Sequence, residues 1–83
     1  MLQFTEDFNN KRGKILIEHA LWGKQVFRCD TIEMIDDTDR LGVKVNGHDV
    51  YIMKGEMISC KYHDRMLMFA DKSLTITIIV NKL

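Results

Sequence analysis

From Gly13 to Tyr62 the chain is a succession of short runs in which apolar and polar residues alternate, separated by tight polar turns. In Leu41-Gly42-Val43-Lys44-Val45-Asn46 the alternation puts Leu41, Val43 and Val45 on one face. Leu74-Thr75-Ile76-Thr77-Ile78-Ile79-Val80 repeats the pattern with its threonines on the other face. A period of two is the geometry of a pleated strand, whose side chains point alternately to opposite sides of a sheet. Short strands at regular spacing, with no helices between them, predict a small antiparallel barrel or sandwich. Folds of this kind bind ligands more readily than they catalyse reactions, and binding is the expectation here.

Eighty-three residues support one domain, 1–83, with a modest core, and a hydrophobic fraction of 46% suits a folded globule. The chain has no proline, so nothing marks a linker. Small domains of this size often gain stability by assembling, which makes a homo-oligomer the expectation. The 12 basic and 12 acidic side chains balance. A generic phosphate-binding protein carries a basic surplus, because neutralising phosphates drives such binding. Neutrality therefore argues against it unless Lys and Arg are concentrated on one face. The first twenty residues hold Glu6, Asp7, Lys11, Arg12 and Lys14 and no long apolar run, which predicts neither a signal peptide nor a membrane span. Cys29 and Cys60 lie in strand-like segments without zinc-ribbon spacing. They read as buried, reduced thiols of a cytoplasmic protein, with a disulfide between adjacent strands as the alternative.

Along the chain, Thr5 is placed to cap a short helix with Glu6 and Asp7 in its first turn, Phe4 and Phe8 on one face and Gly13 as its stop. Strands follow over 14–20, 25–35, 40–46, 49–53, 57–62, 66–69 and 74–80. The run 25–35 is expected to bend near Cys29-Asp30-Thr31. Asn46-Gly47 is a strong hairpin signal, because both residues tolerate positive φ. If the strands form a meander, the loops at 22–24, 46–49 and 63–65 share one end. Those at 36–40, 54–56 and 71–73 then share the other.

Lys14-Ile15-Leu16-Ile17-Glu18, Trp22-Gly23-Lys24 and Gln25-Val26-Phe27 together resemble the first hairpin of the Sm-like and Hfq-like small β-barrels. Ile32-Glu33-Met34-Ile35-Asp36-Asp37 followed by Leu41-Gly42-Val43 is similar to that family's second and third strands with the acidic turn between them. Met53-Lys54-Gly55-Glu56-Met57-Ile58 resembles its apolar–Arg–Gly–Ile signature, with Lys54 in place of the Arg. The resemblance spans residues 4–62. It implies an all-β, strongly bent antiparallel barrel of SH3-like or Sm-like kind, with a short N-terminal helix and, beyond the family pattern, an extra C-terminal hairpin. It further implies ring assembly and RNA binding. The family's stacking residue and its Asn correspond here to Thr38 or Asp39 and to Arg40. Lys54 keeps the charge of the family's Arg without its planar fork.

The RNA site that the resemblance implies is Arg40, Lys54, Gly55 and Lys72, with phosphates neutralised by the cations and Arg40 stacking on a base. Acidic neighbours (Asp36, Asp37, Asp39, Glu56 and Asp71) oppose this, and a solvated turn of mixed charge is the plainer reading. A second candidate is a protein-binding surface at Trp22 and Tyr51. Trp22 stands in a turn, where it serves either as an interface anchor or as a cap on the core. The dipeptides His48-Asp49 and His63-Asp64 supply metal-ligand types without metal-ligand spacing, so an ordinary turn role is expected and no metal or cofactor is assigned. No phosphate loop, nucleophile elbow or catalytic triad pattern is present, so a non-enzymatic function is expected. The readings in play are an oligomeric RNA-binding module, a small regulator or inhibitor that docks on a host protein, and an oligomer that sequesters a nucleotide.

Overall fold

The structure, a computed structural model, describes residues 3–81. Gln3–Asp7 forms a 3-10 helix, followed by β1 (Gly13–His19), β2 (Gly23–Cys29), β3 (Glu33–Asp36), β4 (Arg40–Val45) and β5 (His48–Met53). A second 3-10 turn, Lys54–Glu56, leads into β6 (Ser59–His63), β7 (Met66–Ala70) and β8 (Leu74–Val80). The fold is all-β, as expected. Its strands form two antiparallel sheets, a five-stranded one in the order β2-β1-β8-β7-β6 and a three-stranded one in the order β3-β4-β5.

Turn chemistry fixes the hairpins where the sequence signalled them. Asn46 and Gly47 have φ of 51° and 80° and join Val45 to His48 directly. Gly23, at φ 85°, closes the loop of Ala20, Leu21 and Trp22 between β1 and β2. Period-two burial then decides which face each strand turns inward. Ile15, Leu67, Phe69, Ile76 and Ile78 of the larger sheet meet Leu41, Val43, Val45 and Ile52 of the smaller in one core, joined by Phe8 and Ile32.

Several expectations change. The run 25–35 is not one bent strand. It breaks at Asp30–Ile32, and its halves belong to different sheets. The C-terminal hairpin is not an appendage: β8 pairs with β1 along its whole length and sits at the centre of the larger sheet. The strands are therefore not a simple meander, and the sorting of loops by end shifts. The Ala20 N–H donates to the Ser73 carbonyl at 2.9 Å, which sets the 71–73 turn beside the Trp22 turn rather than opposite it. Thr5 lies within the first 3-10 helix instead of capping it. It is buried, and its hydroxyl donates to Asp36 Oδ2 at 2.8 Å. The shared face expected of Phe4 and Phe8 falls outside the described residues, since Phe4 has no described side chain. Gly13 opens β1, where a Cβ would collide with the carbonyl of Ile79 on β8.

The N-terminal segment closes one side of the two-sheet stack. Asn9 Oδ1 accepts from the Met34 N–H on β3 at 2.9 Å. Phe8 meets Tyr62 of β6 edge-to-face at 5.7 Å, and the Tyr62 hydroxyl donates to Asp7 at 3.0 Å. Residues 5–10 thus reach the backbone of β3 at Met34 and, through side chains alone, Tyr62 of β6. On the other side, β2 and β5 are the remaining edge strands. Among the described residues, no backbone hydrogen bond reaches Gly23–Cys29 beyond its ladder with β1.

Candidate interaction site

Arg40 and Lys54 flank the 36–37 turn, and both are engaged by its carboxylates. Asp37 folds back on its own turn. One oxygen accepts the N–H groups of Asp39 and Arg40 at 3.1 and 2.8 Å, and the other accepts Arg40 Nε at 2.9 Å and Nη2 at 2.8 Å. Hydrogen bonding from the Arg40 side chain, then from its backbone, holds the Asp37 carboxyl below its usual range. Asp37 in turn raises Arg40 through the same side-chain hydrogen bond. Arg40 also lies over the ring of Tyr51, 4.9 Å from its centroid, and reaches within 4.0 Å of Asp49.

Lys54 serves the interior. Its ammonium lies 2.7 Å from Asp36 Oδ1 and also donates to the Asp37 carbonyl. The Asp36 side chain is only 1% exposed, so Lys54 is the counter-ion of a buried carboxylate. Gly55 is exposed, and a Cβ there would meet nothing. Lys72 belongs to the turn tied to Ala20, away from the carboxylates that hold Arg40 and Lys54.

The two His-Asp pairs lie on different sheets, at the start of β5 and the end of β6, with Asp64 at φ 54° in its turn. Among the described residues, no group of three or more His, Cys, Asp or Glu is placed to hold a metal ion. Both cysteines are free. They occupy strands on opposite edges of the five-stranded sheet, not the adjacent strands that the disulfide alternative required. Cys60 is exposed rather than buried, and Cys29 is half-buried. Desolvation raises both thiols, with Asp30 adding to the effect at Cys29.

Trp22 does not cap the core. It is 82% exposed and its neighbour Leu21 81%. The turn is nonetheless held in shape: Trp22 stacks on His19 at 4.2 Å and 18°, and the Leu21 N–H donates to His19 Nδ1 at 3.1 Å. Beside it opens a groove of about 190 Å³ lined by Ile17, His19, Trp22, Gly23, Gln25 and Leu74. This groove follows from the unequal width of the two sheets, since no residue of β2 is fully buried. Ile58, 69% exposed, precedes β6 at the same end of the sheet, where its N–H donates to Ala70. At the far end of β2 a cleft of about 260 Å³ is lined by Arg12, Gly13, Lys14, Arg28, Cys29, Asp30 and Asn81. Sequence reasoning found Trp22 but missed this cleft. Arg12, Lys14 and Arg28 come together only through the β1–β2 register, which sets Lys14 opposite Arg28.

No protein-family model, curated protein or solved structure matches this chain. Among the described residues no helix is long and apolar enough to cross a membrane.

Proposed function

We propose that this chain is a non-enzymatic interaction module that docks on another protein through the Leu21–Trp22 turn. The observation that carries this reading is a pair of large apolar side chains, each more than four-fifths exposed, on a turn held rigid by His19. A preorganised aromatic anchor beside an open groove is what a binding surface needs, because little ordering entropy remains to be lost on docking. A small regulator or inhibitor of a host protein fits this description.

The competing reading, an oligomeric Sm-like barrel that binds RNA at Arg40, Lys54, Gly55 and Lys72, has one observation in its favour. Tyr51, exposed beside Arg40 and read from the sequence as a protein-binding residue, offers an aromatic ring for base stacking. Against it, Arg40 and Lys54 already neutralise Asp37 and Asp36, so phosphates compete with built-in carboxylates for both cations.

Affinity capture from the native cell, with and without ribonuclease, separates the two. A protein captured by the wild-type chain and by Arg40→Ala, and lost with Trp22→Ala, supports the docking reading. Ribonuclease-sensitive capture that disappears with Arg40→Ala and survives Trp22→Ala overturns it in favour of RNA.

A further inference from the structure

The open edge of β2 carries a charge pattern that specifies what can pair with it. Lys24, Val26 and Arg28 face outward, and their neighbours on β1 are Glu18, Leu16 and Lys14. Lys14 and Arg28 are therefore like charges directly across a strand pair, an arrangement that destabilises a sheet unless an anion lies near. Arg12 adds a third cation at that end and reaches Asp30 at 3.6 Å, an exposed contact. The cleft at this end gathers Arg12, Lys14 and Arg28 around a single carboxylate, Asp30. Clefts open at both ends of the same strand, the basic one near Cys29 and the apolar one near Gly23.

Resting on the docking reading above, we infer that β2 accepts an extended acidic segment of the partner as an added strand. Main-chain hydrogen bonds would complete the exposed edge, and alternate side chains would supply specificity. On the outward face the partner presents Asp or Glu opposite Lys24 and Arg28, with an apolar residue opposite Val26. On the inward face its apolar side chains lie against Phe27 and in the Trp22 groove. A second copy of this chain is a poor occupant. The antiparallel register that uses all of Gly23–Cys29 sets Lys24 against Arg28 twice across the two-fold, with Lys14 flanking each pair.

The test uses the full chain and synthetic seven-residue peptides, Thr-Glu-Ile-Val-Leu-Glu-Thr and its counterpart with both glutamates replaced by lysine. Fluorescence anisotropy reads affinity, and amide hydrogen exchange reads which strand is protected. The glutamate peptide is expected to bind the wild-type chain at least tenfold more tightly than the lysine peptide and to slow exchange across residues 23–29. Lys24→Glu/Arg28→Glu, which gives Lys14 an opposite charge but sets a like charge against Glu18, is expected to reverse the preference, and Arg28→Glu alone, which makes no new like pair with β1, to weaken it. Protection elsewhere, a preference unchanged by charge reversal, or no binding overturns the strand-addition inference. The docking reading survives those results if capture of the partner still depends on Trp22. Protection of 23–29 by an RNA oligomer, or by self-association of the wild-type chain, also overturns the inference.

Discussion

Replacing Lys54 by methionine removes the ammonium that faces the buried carboxylate of Asp36 while keeping much of the side chain's apolar bulk. Breaking a buried ion pair by deleting one partner costs about 3–5 kcal/mol, because the remaining charge is stranded. Two features reduce that figure here. The Lys54 side chain is 24% exposed, so water reaches the pair, and Asp36 keeps the hydrogen bond donated by Thr5 at 2.8 Å. The expected loss is about 2–3 kcal/mol, a large part of the roughly 4–12 kcal/mol typical of a domain this size. Each kcal/mol lowers the melting midpoint of a domain this small by about 4–8 °C, giving a fall of roughly 10–20 °C. Far-ultraviolet circular dichroism in urea is the assay, since Trp22 is exposed in the native state and reports unfolding poorly. A double-mutant cycle with Asp36→Asn isolates the pair: in that background Lys54→Met should cost less than about 1 kcal/mol. An equal cost in both backgrounds, or a midpoint within about 0.5 kcal/mol of the wild type, refutes the assignment of Lys54 to the interior. The same reasoning makes Arg40→Ala alone, without a change at Lys54, the clean probe of RNA binding.

Three further outcomes follow from the geometry. Gly13→Ala should destabilise the chain by more than about 2 kcal/mol, because the new methyl meets backbone on β8; Gly55→Ala should stay within about 0.5 kcal/mol of the wild type, both read by urea titration. Trp22→Ala should leave the unfolding midpoint within about 0.5 kcal/mol, since the side chain is mostly in water; a larger loss would return Trp22 to the core. Asp37, held below the usual carboxylate range, contributes stability that is present above its unfolded pKa and lost as pH falls through the folded value. Asp37→Asn should therefore be less stable than the wild type at neutral pH, with the gap narrowing below about pH 4.

Strand positions were legible because period-two patterning and turn chemistry are local. The 40–45 and 74–80 strands and the Asn46-Gly47 turn stand where alternation and positive-φ tolerance put them. Pairing order was not legible, because the contact between β1 and β8 joins residues 55 to 67 positions apart and nothing within either strand names its partner. The bend expected near Asp30 was a crossing between sheets: the inward positions shift from Phe27 and Cys29 to Ile32 and Met34, a change of phase that a bend and a crossing share. At the site, the cations Arg40 and Lys54 were visible but their partners were not. Asp36 reads as one more acid in an acidic turn until the register of β3 with β4 turns it toward the core beside Leu41. The exposure of Trp22 likewise depends on the three-stranded sheet being too narrow to cover β2, a fact of assembly rather than of local sequence.

The most direct test of the interaction reading places the aromatic photo-crosslinker p-benzoylphenylalanine at position 22, where it keeps a large aromatic side chain in place of the indole, and, separately, at position 40, in the full chain expressed in its native cell. The account predicts a defined protein adduct from position 22, identifiable by mass spectrometry and insensitive to nuclease, with no comparable adduct from position 40. Nucleic-acid adducts at position 40 and none at position 22 would contradict it.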